Sequence, residues 1–157
     1  MKQLGPWQMS FGGAGECLPY YENRVEINKQ VVDKWGIPVP HITMTWYENE
    51  LAMYGEIRHA AAEMLEACGC KNVTTWGDAR PGSPGKGIHE MGTARMGNDP
   101  KMSVLNKWNQ SHDIRNLFVT DGSFMVSSAC QNPSITYMAF TARAANYAVE
   151  QLRKGEL

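Results

Sequence analysis

No uninterrupted apolar run in this sequence approaches the ~18 residues that a membrane-spanning helix requires. Met1 to Gly15 carry neither the basic start nor the apolar stretch of a secretory signal. Both absences predict a soluble segment with no membrane insertion, cytoplasmic or periplasmic, with its compartment unknown. An excess of charge of one sign is missing too: 15 basic side chains stand against 16 acidic ones, for a formal net charge of -1. Phosphate neutralisation dominates nucleic-acid affinity, so this balance excludes a general DNA or RNA binder. Cysteine is sparse, at four residues. Cys68 and Cys70 are one residue apart, too close for the usual metal knuckle, and Cys17 and Cys130 are isolated, so no metal site is expected.

Two motifs of nucleotide chemistry are also lacking. Neither Gly-x-Gly-x-x-Gly nor Gly-x-x-x-x-Gly-Lys occurs, so these residues cannot build a pyrophosphate cradle by themselves. His89-Glu90-Met91-Gly92-Thr93 opens like a zinc-protease helix, but Thr93 stands where the second His would be and Gly92 weakens a helix there.

What is present is 157 residues, 43% of them hydrophobic, enough for one globular domain. A domain of this length buries roughly 68–70% of the surface of its unfolded chain and needs no disulfide or metal staple. Alternation predicts a strand at Arg24 to Ile27, and β-branched and aromatic residues predict another at His41 to Tyr47. A helix follows, with Asn49 as N-cap, a stripe through Leu51, Tyr54, Ile57, Ala61 and Leu65, and Gly69 as the stop. Lys71 to Trp76 reads as a strand and Asp78 to Gly87 as a loop. Asn116 to Thr120 is a short apolar strand that ends at Asp121-Gly122-Ser123. A long terminal helix is predicted with Asn132 as N-cap and Pro133 at its first position. Its buried stripe should be Ile135, Met138, Ala139, Ala142, Asn146, Val149 and Leu152.

Taken singly, the polar landmarks have ordinary explanations. Asn-Pro before a helix is commonly a cap, and Asp-Gly is commonly a turn. Arg95 suits either a carboxylate or phosphate partner or a turn whose carbonyls it caps. The ten methionines are scattered core fillers. Trp7, Trp35, Trp46, Trp76 and Trp108 are either core or a sugar-stacking platform.

Taken in order, the landmarks form a pattern. His89-x-x-Gly92-Thr93-x-Arg95-Met96-Gly97 is followed by Ser103-Val104-Leu105, then Asn116-Leu117-Phe118-Val119-x-Asp121-Gly122-Ser123, then Asn132-Pro133-Ser134 before a helix. This arrangement resembles the carboxy-terminal region of the glucose-methanol-choline (GMC) flavin oxidoreductases over residues 88 to 152. Upstream, Glu22 to Val25 and Trp35 to Val39 are similar to the sugar-oxidising branch with gluconate, fructose and glucoside 3-dehydrogenases.

The resemblance implies an α+β fold: a mainly antiparallel substrate-domain sheet with flanking helices, plus the last strand and helix of an FAD-binding domain. It implies that residues 1–157 are the carboxy-terminal part of a longer flavoenzyme whose amino-terminal FAD fold is absent here. FAD is the cofactor and requires that amino-terminal domain. Alone, this segment should be inactive and expose a concave, partly apolar face. The substrate is a sugar or polyol oxidised at a CH–OH group, and the electron acceptor is unknown.

The family pattern makes His89 the catalytic base, a role that suits a side chain titrating near neutrality. Asn132 is the second catalytic residue, its amide orienting the reacting oxygen. Cofactor contacts are implied for Asp121, Gly122, Asn132, Pro133 and Ser134, the last three at a helix start whose free amides favour an anion such as reduced flavin. The alternative is a non-catalytic domain of the same descent that binds a sugar or another protein.

Overall fold

The computed structural model describes residues 5–77, 84–85 and 87–157. Most of the loop expected from Asp78 to Gly87 lies outside the described residues. The chain forms two compact units, one drawn from Met1–Leu18 and Thr45–Ser83, the other from Pro19–Met44 and Pro84–Leu157.

The first unit is built on helix α1, Glu48–Ala67. Its N-cap is Tyr47, not Asn49 as the sequence suggested. The reason is Glu50, whose carboxylate reaches back to the Tyr47 amide at 3.0 Å and so starts the helix two residues earlier. Asn49 instead donates its side-chain amide to Glu50 at 3.0 Å. At the other end Gly69 has a φ of 84°, and its amide donates to the Glu66 carbonyl while that of Cys70 donates to Leu65. This left-handed stop after Cys68 is the one expected of Gly69. The strand expected at Lys71 to Trp76 is not there: Asn72 has a φ of 58° and the segment runs as turn and irregular chain. Val73, Thr74 and Thr75 have β propensity, but among the described residues no neighbouring strand supplies a ladder, and propensity without a partner does not make a strand.

The second unit opens with an antiparallel hairpin of β1, Arg24–Val32, and β2, Pro38–Thr43. Arg24 faces Thr43 and Ile27 faces Pro40, and an irregularity between Ile27 and Val32 brings Val32 opposite Pro38. Asp33 closes the turn, its carboxylate accepting the amides of Trp35 and Ile37 at 2.8 and 2.9 Å. β2 starts earlier than expected and releases Trp46 and Tyr47 to the first unit.

Helix α2, Ser134–Lys154, ends at Gly155, which has a φ of 72°. Its packed face is Tyr137, Phe140, Ala144 and Tyr147, with Ala144 buried and Phe140 stacked 4.7 Å from the buried Phe124. The predicted stripe lies on the opposite side: Ile135 is 82% exposed and Met138 71%. Apolar residues occupy both faces of α2, and the aromatic face, with more area to bury, is the one that packs. Among the described residues the buried apolar side chains are Leu105, Phe124 and Ala144. This is a smaller core than the chain length alone predicts.

Between hairpin and α2 the chain is irregular but closely bonded. Asn109 is fully buried with a φ of 61°. Its side-chain amide donates to the Val119 carbonyl at 3.0 Å, its own carbonyl accepts the Val119 amide at 2.9 Å, and its side-chain oxygen accepts from Arg143 of α2 at 3.3 Å. The expected strand at Asn116 to Thr120 is thus reduced to an isolated bridge, Gln110 to Phe118, with Asn109 in place of a partner strand. Two helices and a two-stranded antiparallel sheet make the fold α+β. Among the described residues no helix is long and apolar enough to cross a membrane.

Candidate functional site

The Asn109 anchor fixes the chain just ahead of Asp121. There the Asp121 carboxylate accepts the Ser123 amide at 2.9 Å and also the Ser123 hydroxyl, closing a single 3-10 turn over Gly122–Phe124. Asp121 is exposed, and one of its oxygens is committed to this turn. The Ser123 hydroxyl is directed at Asp121.

The segment that carries His89 runs alongside this turn. The Ala94 amide donates to the Ser123 carbonyl and the Met96 amide to the Phe124 carbonyl, both at 2.9 Å. On its other side the Gly97 amide donates to Leu105 at 2.8 Å, and the Val104 amide donates to Arg95 at 3.0 Å. His89 itself is half-buried. It lies inside a tight turn in which the Gly87 amide donates to the Glu90 carboxylate at 2.7 Å. Ile88 within that turn has a φ of 55°, a left-handed conformation that a β-branched residue adopts only under strain.

The third component is the start of α2. Pro133 occupies the N-cap position and no side chain caps the helix, so Asn132 lies one residue outside the helix and is exposed. The expectation that Asn132 is the N-cap is therefore corrected by one residue. Proline has already lost its amide hydrogen, and its carbonyl accepts the Tyr137 amide at 3.1 Å to begin the helix. Ser134 opens α2 and is exposed.

Tyr137 connects the three components. Its hydroxyl donates to the Met91 sulfur at 3.4 Å, and its ring meets Phe124 edge-on at 6.4 Å. At Gly122 a Cβ would come within 2.8 Å of both the Tyr137 hydroxyl and the Met91 sulfur. A side chain at Gly122 would therefore displace Tyr137 or Met91. Neither Tyr137 nor Met91 stood out in the sequence, because an aromatic in a first helical turn and a methionine in a motif gap both read as filler.

Among the described residues no hydrogen bond joins His89 to Asn132; their segments meet through Tyr137, Met91 and Gly122. Arg95 is committed to structure, its Nε donating to the Met102 carbonyl at 3.0 Å. Beside it is an open concavity of about 210 Å³ lined by Thr93, Arg95, Lys101 and Ser103. A second, of about 370 Å³, lies between Asn98, Trp108, His112 and Tyr147. Neither is lined by His89 or Asn132. Among the described residues no three His, Cys, Asp or Glu side chains converge on a metal site.

A family model described as GMC oxidoreductase, for its carboxy-terminal domain, matches residues 19–141, a span that contains His89, Asp121 and Asn132. The chain belongs to the GMC oxidoreductase family. It is 35% identical over 133 residues to the 2-methyl-1,2-propanediol dehydrogenase of Mycolicibacterium austroafricanum, covering 85% of this chain and 24% of that protein. It is 31% identical over 140 residues to the fructose dehydrogenase large subunit of Gluconobacter japonicus, covering 89% and 25%. With the gluconate 2-dehydrogenase flavoprotein of Pantoea cypripedii it shares 27% over 151 residues, covering 93% and 24%. This GMC oxidoreductase chain therefore spans about a quarter of the length of these relatives. Their names are those of diol, sugar and sugar-acid dehydrogenases, in agreement with the sugar-oxidising resemblance.

Proposed function

We propose that this chain is the carboxy-terminal catalytic part of an FAD-dependent oxidoreductase that oxidises a CH–OH group of a sugar, glycoside or polyol. The observation that carries the reading is the convergence of three segments in one unit: the His89 arm bonded to the Asp121–Phe124 turn, and both held by Tyr137 to the start of α2. The exposed Ile135 and Met138 on α2 support further chain covering that face in the full protein, where the dinucleotide fold and its glycine loop would lie.

The residues present fit the cofactor. The first turn of α2 has no side-chain cap, so its leading amides are available to an anionic ring edge, and the Asn132 amide is not used by the helix. Asn132, Pro133 and Ser134 would hold the cofactor from that side, with Asp121 and Gly122 on the other. FAD, when bound, accepts the hydride that leaves the substrate carbon. His89 takes the hydroxyl proton onto its ring, and Asn132 donates to the same oxygen and orients it. The chain alone, without the glycine loop, turns over nothing.

Replacing His89 by Ala in the FAD-loaded full-length enzyme should slow anaerobic flavin bleaching by simple pyranosides by roughly two to four orders of magnitude. Near-normal bleaching overturns the assignment.

A further inference from the structure

Met91 lies two residues beyond His89, and Tyr137 lies five residues beyond Asn132. We infer that Tyr137 is a positioning residue, its hydroxyl setting the separation of the two reacting side chains by standing between Met91, Gly122 and the first turn of α2. This inference rests on the roles proposed for His89 and Asn132.

The constraint on this point is steric. The Tyr137 hydroxyl is 3.4 Å from the Met91 sulfur. A Cβ at Gly122 would be 2.8 Å from each of them and 3.3 Å from the ring carbon that bears the hydroxyl. Three segments therefore meet at one point, and a methyl group there requires Tyr137 or Met91 to shift. On one side the ring is backed by Phe124, which meets it edge-on at 6.4 Å and is itself buried. The turn is tied to the His89 arm, Ser123 and Phe124 accepting the amides of Ala94 and Met96.

Magnitudes separate positioning from stability. A hydroxyl–thioether contact is a weak bond, so its loss should barely change the melting temperature. A shift of about 1 Å between reacting groups can cost roughly a hundredfold in rate. Gly122→Ala should therefore lower the rate constant of flavin reduction roughly ten- to a hundredfold with the half-saturating substrate concentration changed by less than about threefold.

The decisive step is rescue. If Gly122 is small because of Tyr137, then Gly122→Ala/Tyr137→Phe relieves one of the two clashes and recovers at least about fivefold of the lost rate. If Gly122 is small to admit the cofactor chain, Tyr137→Phe recovers nothing, and the inference is overturned.

Should Gly122→Ala fail to fold, Tyr137→Phe alone decides. In full-length enzyme with labelled histidine, it should shift the ring resonance of His89, assigned by its loss in His89→Ala, and lower the reduction rate several-fold. Unchanged resonance and rate overturn the inference. The two ideas fail separately. Near-normal reduction in His89→Ala removes the base, whereas an inert Tyr137→Phe beside a dead His89→Ala removes only the positioning role.

Discussion

The Leu18 amide donates to the Glu50 carboxylate at 3.1 Å, so the group that starts α1 also holds a segment 32 residues upstream. Glu50 is buried, which pushes its carboxyl up. The hydrogen bonds from the Asn49 side chain and from the Leu18, Tyr47 and Glu50 amides together outweigh burial and bring its pKa down to about 2. A free glutamate titrates near 4.3, so the stability tied to this shift is fully present above about pH 5 and is lost as pH falls through about 2.

Glu50→Gln should therefore flatten the dependence of melting temperature on pH between about 5 and 2 relative to the parent chain. Glu50→Ala should cost about 1–3 kcal/mol near neutrality, because buried amides lose their acceptor. Urea titration at several pH values reads both. Parallel pH curves for parent and Gln variant would show that Glu50 is not the linked group.

The two faces of α2 make opposite predictions for substitution. Phe140 stacks on buried Phe124 and against the Arg143 guanidinium at 4.3 Å, so Phe140→Ala should cost about 3–5 kcal/mol. Ile135 and Met138 are open, so Ile135→Gln and Met138→Gln should each change stability by under about 0.5 kcal/mol in this chain. Denaturant midpoints of the three variants test which stripe packs. A large loss at Ile135 would restore the face that periodicity suggests.

Asn109 combines a left-handed backbone with four hydrogen bonds, two of them through its side chain. Asn109→Gly keeps the backbone and loses the side-chain bonds. Asn109→Ala loses those bonds and adds about 1–2 kcal/mol of left-handed strain. The Ala variant should therefore be the less stable of the two by about that amount, as measured by thermal unfolding. Equal stability would mean that the conformation at 109 relaxes without cost.

Several features of the fold were legible because one residue decides each of them. Gly69 ends α1 since its neighbours need a left-handed stop, and the hairpin appears where Arg24 to Ile27 alternate and the His41 region is rich in β-branched residues. Other features depend on partners distant in sequence. Lys71 to Trp76 has the letters of a strand and, among the described residues, no neighbour to pair with, and Asn116 to Thr120 meets the buried Asn109 where a partner strand would be needed. The face of α2 that packs was not legible because Ile135 and Phe140 are both apolar, and only Phe124 distinguishes them. At the site, His89, Asp121 and Asn132 stood out by their order, whereas Tyr137 is recognisable only once Met91 and Gly122 are seen against it.

Asn132 offers the sharpest separation of structural from functional use. A true N-cap loses about 0.5–2 kcal/mol on replacement by Ala. Here Pro133 holds that position and the Asn132 side chain bonds to nothing in the helix, so Asn132→Ala should leave the unfolding midpoint of the chain nearly unchanged. In the FAD-loaded full-length enzyme the same substitution should slow flavin reduction roughly tenfold to a hundredfold, since the reacting oxygen loses its orienting donor. Asn132→Asp should be slower still, because a carboxylate repels the charge that develops on that oxygen as His89 withdraws the proton. Stopped-flow reduction beside thermal unfolding supplies both measurements. A destabilised helix with intact reduction would return Asn132 to the role of a cap.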